Sequence, residues 1–201
     1  MDLARERDDA YEKLYVELPE GFTTITANMF GDIQIKELYI PASVTKIEEG
    51  AFGAQIYITN IRVSSINPKY RPQNGVLYNK KMTTLICYPM SKKGSTFVVP
   101  DKVRKTAPLS FRGNYYLEKV VLPKNLRKLG RGSFLKSAIS EWRCDGGVKK
   151  YEKSAFNYID AADGYAIDMN TLTKLYQELL YTNATTDVSY WVKTIWNWLT
   201  M

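Results

Sequence analysis

The sequence predicts a solenoid of stacked coils, each giving a short strand to a parallel sheet. Three observations carry that prediction. A short proline-marked motif recurs along the chain, a phenylalanine follows each copy at one fixed distance, and the residues before the proline alternate between apolar and polar.

The first copy is Leu18-Pro19-Glu20-Gly21-Phe22, running on through Ile25 to Phe30. Ile40-Pro41-Ala42-Ser43-Val44 runs through Ile47 to Phe52, Val99-Pro100-Asp101-Lys102-Val103 to Phe111, and Leu122-Pro123-Lys124-Asn125-Leu126 to Phe134. A fifth copy lacks the proline: Cys144-Asp145-Gly146-Gly147-Val148 runs to Phe156. In every copy the phenylalanine lies eight residues after the apolar turn residue, and successive phenylalanines are 22, 59, 23 and 22 residues apart. Five copies in one register are not a chance pattern. The long gap holds one or more coils plus an insertion.

Each proline is preceded by a strand with one buried face. Its inward positions are Leu18, Ile40, Val99, Leu122 and Cys144, and, two residues earlier, Val16, Leu38, Phe97, Val120 and Trp142. Proline ends the strand because it has no N–H for the ladder. A single coil cannot bury its apolar face, whereas stacked coils can. The phenylalanines are then core plugs.

The pattern L-P-x-x-L-x-x-I-x-x-x-x-F, at about 23 residues, resembles the BspA-like leucine-rich repeats. Asn67-Pro68 through Gly75-Val76-Leu77-Tyr78, then Thr84-Leu85-Ile86-Cys87-Tyr88-Pro89, resembles the hairpin insertion of that family. The resemblance implies a leucine-rich-repeat right-handed solenoid with a parallel β-sheet, used in adhesion and protein binding. An aliphatic residue is expected where Thr106 stands.

These readings divide the chain into three parts. Residues 1–13 are an N-terminal cap or flexible segment, and residues 14–156 are the solenoid, with its hairpin insertion at about 67–90. Residues 157–201 change period. Leu172, Leu175, Tyr176, Leu179 and Leu180 fall on one helix face, as do Val188, Trp191, Val192, Ile195, Trp196 and Leu199 on a second. A C-terminal helical cap over the last coil is expected. A docking element is the alternative, because Tyr190 and Trp198 lie off that apolar face and aromatic residues concentrate at interface hot spots.

Two outward surfaces are candidate partner sites. On the sheet face the outward strand positions form columns: Glu17, Tyr39, Val98, Val121 and Arg143, beside Tyr15, Glu37, Thr96, Lys119 and Glu141. Tyrosines among mixed charges suit a protein or a glycan. Turn positions after the proline site carry Thr23-Thr24, Thr45-Lys46, Arg104-Lys105, Arg127-Lys128 and Lys149-Lys150. Stacked about 5 Å apart, the last three pairs make a basic edge suited to an acidic partner. The bland alternative is a solvated edge whose long side chains splay apart and block edge pairing.

Charge supports a localised field: residues 101–153 hold 14 Lys and Arg against 5 Asp and Glu, residues 1–100 hold 12 against 11, and residues 154–201 hold 2 against 5. Nucleic acid is the weaker reading, since no zinc-finger or RNP-type motif accompanies the charge. The chain has no histidine, no glycine-rich phosphate loop and no G-x-S-x-G, which removes the usual nucleophile systems. No catalytic residue, metal ligand or cofactor is predicted; Asp160, Asp163 and Asp168 do not have the spacing of a calcium loop. Cys87 and Cys144 are expected to be buried thiols. The charged N-terminus shows no signal peptide and no apolar run is long enough to span a membrane, so the expected location is cytoplasmic or virion-associated, or extracellular if a leader was removed. The leading expectation is a non-enzymatic protein-interaction module. The alternatives are a structural component of a larger assembly, such as a phage virion or tail, and an adhesin for host protein or glycan.

Overall fold

The computed structural model of the chain describes residues 14–27, 29–31, 33–144 and 150–151. The expected caps, with Tyr190 and Trp198, lie outside the described residues, as do Phe156 and Lys149.

Each coil contributes two strands on two different faces. The first-face strands are β1 (Tyr15–Glu17), β3 (Glu37–Ile40), β5 (Asn60–Val63), β9 (Thr96–Val98), β11 (Lys119–Leu122) and β13 (Glu141–Cys144). The second-face strands are β2 (Thr24–Ile25), β4 (Lys46–Ile47), β8 (Thr84–Cys87), β10 (Lys105–Thr106), β12 (Lys128–Leu129) and β14 (Lys150–Tyr151). A hairpin, β6 (Tyr70–Gln73) and β7 (Val76–Asn79), is inserted in the third coil. Where successive coils pair, the pairing is parallel, as the repeat requires; Leu38 stands beside Val16 and Ile61, and Val120 beside Phe97 and Trp142.

The third coil explains the long gap between plugs. Met90 stands five residues after Leu85, as Phe111 stands five after Thr106, and Met90 is buried. One coil therefore fills the gap, with methionine as its plug. Asn67 occupies the place of the aliphatic turn residue, four residues after Val63 as Val44 is four after Ile40. Burying an amide requires partners, and Asn67 has them. Its Nδ2 donates to the carbonyls of Pro41 (2.7 Å) and Val44 (3.0 Å), and its Oδ1 accepts from the N–H groups of Lys69 (2.9 Å) and Tyr70 (2.8 Å).

Within residues 67–90, β8 is at once the last strand of the hairpin's meander and a regular solenoid strand. It pairs antiparallel with β7 and parallel with β10. The hairpin turn is Asn74-Gly75, both at positive φ (51° and 77°), the two-residue geometry whose twist matches the flanking strands. Glycine suits position 75 by its positive φ and by space, since a Cβ there would lie 2.5 Å from Asn60 Oδ1. The Gly75 carbonyl accepts from the Ile61 N–H at 3.0 Å.

The hairpin divides what the sequence predicts as one continuous array. The first face is two three-stranded sheets, β1-β3-β5 and β9-β11-β13; the second is β2-β4 and a six-stranded sheet ending in β7 and β6. The core divides with it. Val76 and Tyr78 pack into the cluster that holds Phe111 and Phe134, while Leu77 packs into the one holding Phe30 and Phe52. With both faces covered, β7 buries three successive side chains. The plugs of the second half stack: Phe111 lies 5.1 Å from Phe134 and 5.5 Å from Tyr88 between ring centroids.

Two sequence expectations at core positions change. Phe22 is 43% exposed, since no described coil covers that side of its coil. Thr106 is buried where an aliphatic residue was expected, and its hydroxyl is fully used: Oγ1 accepts from the Gly130 N–H at 3.0 Å and shares a hydrogen bond with Ser133 Oγ at 2.8 Å. The Ser133 hydroxyl in turn reaches the Gly130 carbonyl at 2.7 Å.

Candidate interaction surfaces

The two predicted columns of the sheet face exist in register, with Tyr15 beside Glu37, Glu17 beside Tyr39, Lys119 beside Glu141 and Val121 beside Arg143. They are not continuous, however, because the hairpin separates the first three coils from the rest. The third coil adds two residues that the sequence reading missed, Asn60 beside Glu37 and Arg62 beside Tyr39. Its strand alternates Ile61 and Val63 with outward Asn60 and Arg62, so the signal was present; Ser64 in place of proline and Met90 in place of phenylalanine concealed it.

Arg62 organises the first sheet face. Its guanidinium lies 3.5 Å from Glu17 and 3.7 Å from Glu37, with Cζ 5.7 Å from the centre of the Tyr39 ring. In the other three-stranded sheet of the first face Lys119 pairs with Glu141 at 2.9 Å. Exposed pairs of this kind stabilise by about 1 kcal/mol or less. Their larger effect is on the field, since each face cancels much of its own charge. Val98, 64% exposed, and Val121 add an apolar strip beside Arg143.

The basic edge is organised differently. Lys105, Lys128 and Lys150 are direct register partners on β10, β12 and β14. They stand in strands, not in the turn the sequence reading assigned them. Arg104 and Arg127 precede two of them and are linked by their backbones: the Arg127 N–H donates to the Arg104 carbonyl at 2.7 Å. The Arg104 guanidinium donates to carbonyl oxygens, those of Asp101 (2.6 Å) and Val103 (3.3 Å), which leaves its charge uncancelled. Lys105 and Arg127 are exposed.

The inserted hairpin lengthens this edge, which the sequence reading did not anticipate. Lys80 and Lys81 lie in the turn from β7 to β8, both exposed. The next residues hold that turn against the fourth coil, where the N–H groups of Arg104 and Lys105 donate to the Thr83 carbonyl at 2.8 and 3.2 Å. Between residues 64 and 140 the chain has 16 Lys and Arg against two acids, Asp101 and Glu118. The charge excess therefore begins at the insertion, earlier than residue 101.

Among the described residues, no group of three His, Cys, Asp or Glu side chains is placed to hold a metal, and no helix is long and apolar enough to cross a membrane. Cys87 is buried, and that burial pushes its thiol up to about 12. The Cys144 side chain lies outside the described residues.

The family described as BspA type leucine rich repeat region matches the chain in six copies, over residues 10–89 and 87–195. Among solved structures, a leucine-rich repeat protein from Eubacterium ventriosum is similar at 32% identity and a TM-score of 0.64, over 69% of this chain and 38% of that one. The pneumococcal vaccine antigen PcpA has a similar fold at 21% identity and a TM-score of 0.57, over 68% of this chain and 46% of that one. A leucine rich cell surface protein from Faecalibacterium prausnitzii has one at 21% identity and a TM-score of 0.58, over 71% and 50%. The chain thus spans half or less of the length of each. No curated protein matches it.

Proposed function

The chain belongs to the BspA-type leucine-rich-repeat family, and from that premise we propose that it is a non-catalytic interaction module whose basic edge binds an acidic polypeptide surface. The observation that carries this reading is the register of Lys105, Lys128 and Lys150, extended by Arg104, Arg127 and the hairpin's Lys80 and Lys81. Cations stacked about 5 Å apart repel one another. An edge that only needed solubility would gain as much from mixed charges, as the two sheet faces of this same chain have. A single-sign row instead attracts and steers an oppositely charged surface. The sheet faces, with Tyr15, Tyr39 and the Val98 strip, are the secondary contact area.

The test uses the quadruple variant R104Q/K105Q/R127Q/K128Q and poly-L-glutamate as the acidic probe. Fluorescence anisotropy is read from low to high salt. The native chain should bind with affinity that falls steeply as salt rises, and the variant should lose most of that affinity and most of the salt slope. Equal, salt-insensitive binding by both proteins overturns the reading. So does tighter binding to heparin or duplex DNA than to polyglutamate, which assigns the edge to another class of polyanion.

A further inference from the structure

Where the solenoid divides, the second face opens. In the fourth coil the N–H groups of Leu109, Phe111 and Gly113 cross to the carbonyls of Arg131, Ser133 and Leu135 in the next coil, at 2.7–2.9 Å. The matching stretch of the second coil closes on itself: Ala51 donates to Glu48, Gly53 to Gly50 and Gln55 to Phe52, at 2.8–3.2 Å. Between these stretches the third coil is recessed. Contacts pass over it from the fifth and fourth coils to the second, among them an ion pair of Arg131 with Glu49 and the approach of Leu109 Cδ1 to Gly50, where an added Cβ would lie 3.7 Å away.

The recess is a cleft of about 290 Å³. Its walls are apolar, with Ile47, Phe52, Ile86, Pro108 and Leu109, over a floor that includes Met90. Three charged side chains line it, Glu48, Glu49 and Arg112. The two carboxylates are engaged. Glu48 accepts from Lys46 Nζ at 3.1 Å, and Glu49 pairs with Arg131. Arg112 is half-buried, and among the described residues its guanidinium makes no hydrogen bond and no ion pair. It lies across Gly53, where an added Cβ would stand 2.8 Å from its Nη1.

Backbone strain marks the same place. Gly50, Leu109 and Gly132 each stand three residues after the inward residue of their second-face strand, and all have positive φ (77°, 59° and 56°). Two coils use glycine there, which meets no steric penalty. The fourth coil uses leucine, at a cost of about 1 kcal/mol or more, and thereby places an apolar side chain in the wall of the cleft.

We propose that this cleft receives the C-terminal residue of a partner polypeptide, with an apolar side chain between Ile47, Ile86 and Leu109 and the α-carboxylate on the Arg112 guanidinium. The Arg112 charge among apolar walls, together with the volume, favours this occupant. At about 30 Å³ for each water-sized atom, the space holds roughly ten non-hydrogen atoms, the size of one apolar residue with its carboxylate. A fatty acid needs a longer channel. A phosphate would bring a second negative charge beside Glu48 and Glu49. An internal Asp or Glu carries its carboxylate without an apolar group on the same residue. The cleft is separate from the basic edge, so the two readings stand or fall independently.

The experiment uses fluorescein-labelled hexapeptides of glycine and serine ending in leucine, as free acid and as C-terminal amide, measured by anisotropy. The free acid should bind about tenfold or more tightly than the amide, the difference made by a hydrogen-bonded charge. Arg112→Gln breaks no bond of the fold and should abolish that difference. Gly53→Ala keeps the charge but displaces the guanidinium, and should reduce it. The quadruple basic-edge variant should retain it in full. Thermal melts and circular dichroism check that each variant is folded. Equal binding of acid and amide, no binding of the acid at millimolar peptide, or an undiminished difference in Arg112→Gln overturns the proposal. N-acetyl-leucine binding as tightly as the hexapeptide acid also overturns it, by assigning the cleft to free small carboxylates.

Discussion

Asn114 offers the sharpest test of how neighbouring coils are held together. It is fully buried, and it uses all of its hydrogen-bonding capacity on backbone groups. Nδ2 donates to the carbonyls of Pro89 (2.8 Å) and Lys92 (3.1 Å) in the preceding coil, and Oδ1 accepts from the N–H groups of Tyr116 (3.0 Å) and Leu117 (2.8 Å) in its own. Asn114→Ala leaves all four groups without that partner. The Pro89 carbonyl and the Leu117 N–H are enclosed by protein, and each costs on the order of 1–3 kcal/mol when orphaned. The groups of Lys92 and Tyr116 are only partly enclosed and find water, losing about 0.5–1 kcal/mol each. The expected loss is therefore about 3–8 kcal/mol, a large share of the roughly 5–15 kcal/mol by which domains are stable. Urea unfolding followed by circular dichroism should show a midpoint lowered by more than about 1 M with unchanged slope. A loss below about 1.5 kcal/mol would refute the assignment of Asn114 as an inter-coil clamp. Asn67→Ala should cost a similar amount, and the two losses should add, because the two side chains share no partner.

Two further outcomes follow from the titrating groups. The Glu20 carboxylate accepts from the N–H groups of Ala42 (2.9 Å) and Ser43 (3.0 Å) in the next coil, and the Ala42 bond foremost holds its pKa below the ordinary value of 4.5. Its contribution is therefore present above that value and is lost as pH falls through the lower folded value, so Glu20→Gln should flatten the acid limb of a stability–pH curve below about 4.5. Burial raises the Cys87 thiol from 9.0 to about 12, so its contribution is complete below pH 9 and lost as pH rises toward 12. In a Cys144→Ser background, iodoacetamide at pH 8 should label Cys87 only upon unfolding; stoichiometric labelling of the folded chain would contradict its burial.

How much of this the sequence revealed depends on which rule each coil follows. The first, second, fourth and fifth coils carry both the proline that ends a strand and the phenylalanine that plugs the core, and both features have a local physical cause. The third coil obeys the same geometry with Ser64, Asn67 and Met90, residues whose suitability depends on their neighbours. Asn67 is acceptable in a core position only because the carbonyls of Pro41 and Val44 face it. The Asn74-Gly75 turn was the overlooked local signal for the hairpin. Register on the sheet face was legible, because the pleat fixes it once the inward residues are known. The break between the two sheet halves was not, since nothing local to Glu37 or Lys119 reports what lies two coils away.

The division of the solenoid also explains how its charges are distributed. Had the third coil been regular, Arg62 would stand beside Val98 and Val121 in one continuous column, and its charge would be shared along the whole face. The hairpin instead sets its β7 strand between the halves, buried on both sides, so that each half closes over its own core. Arg62 is then left with the acids of its own half, Glu17 and Glu37. On the other face the same insertion does the opposite. Through β8 it enters the sheet of the second half and adds Lys80 and Lys81 to a row that already holds Arg104, Lys105, Arg127 and Lys128. One insertion thus isolates a self-neutralised face from a reinforced cationic edge, and the recess it creates at the third coil leaves Arg112 facing a cleft. The departures from the repeat, more than the repeat itself, set this chain's surface chemistry apart from that of a uniform solenoid.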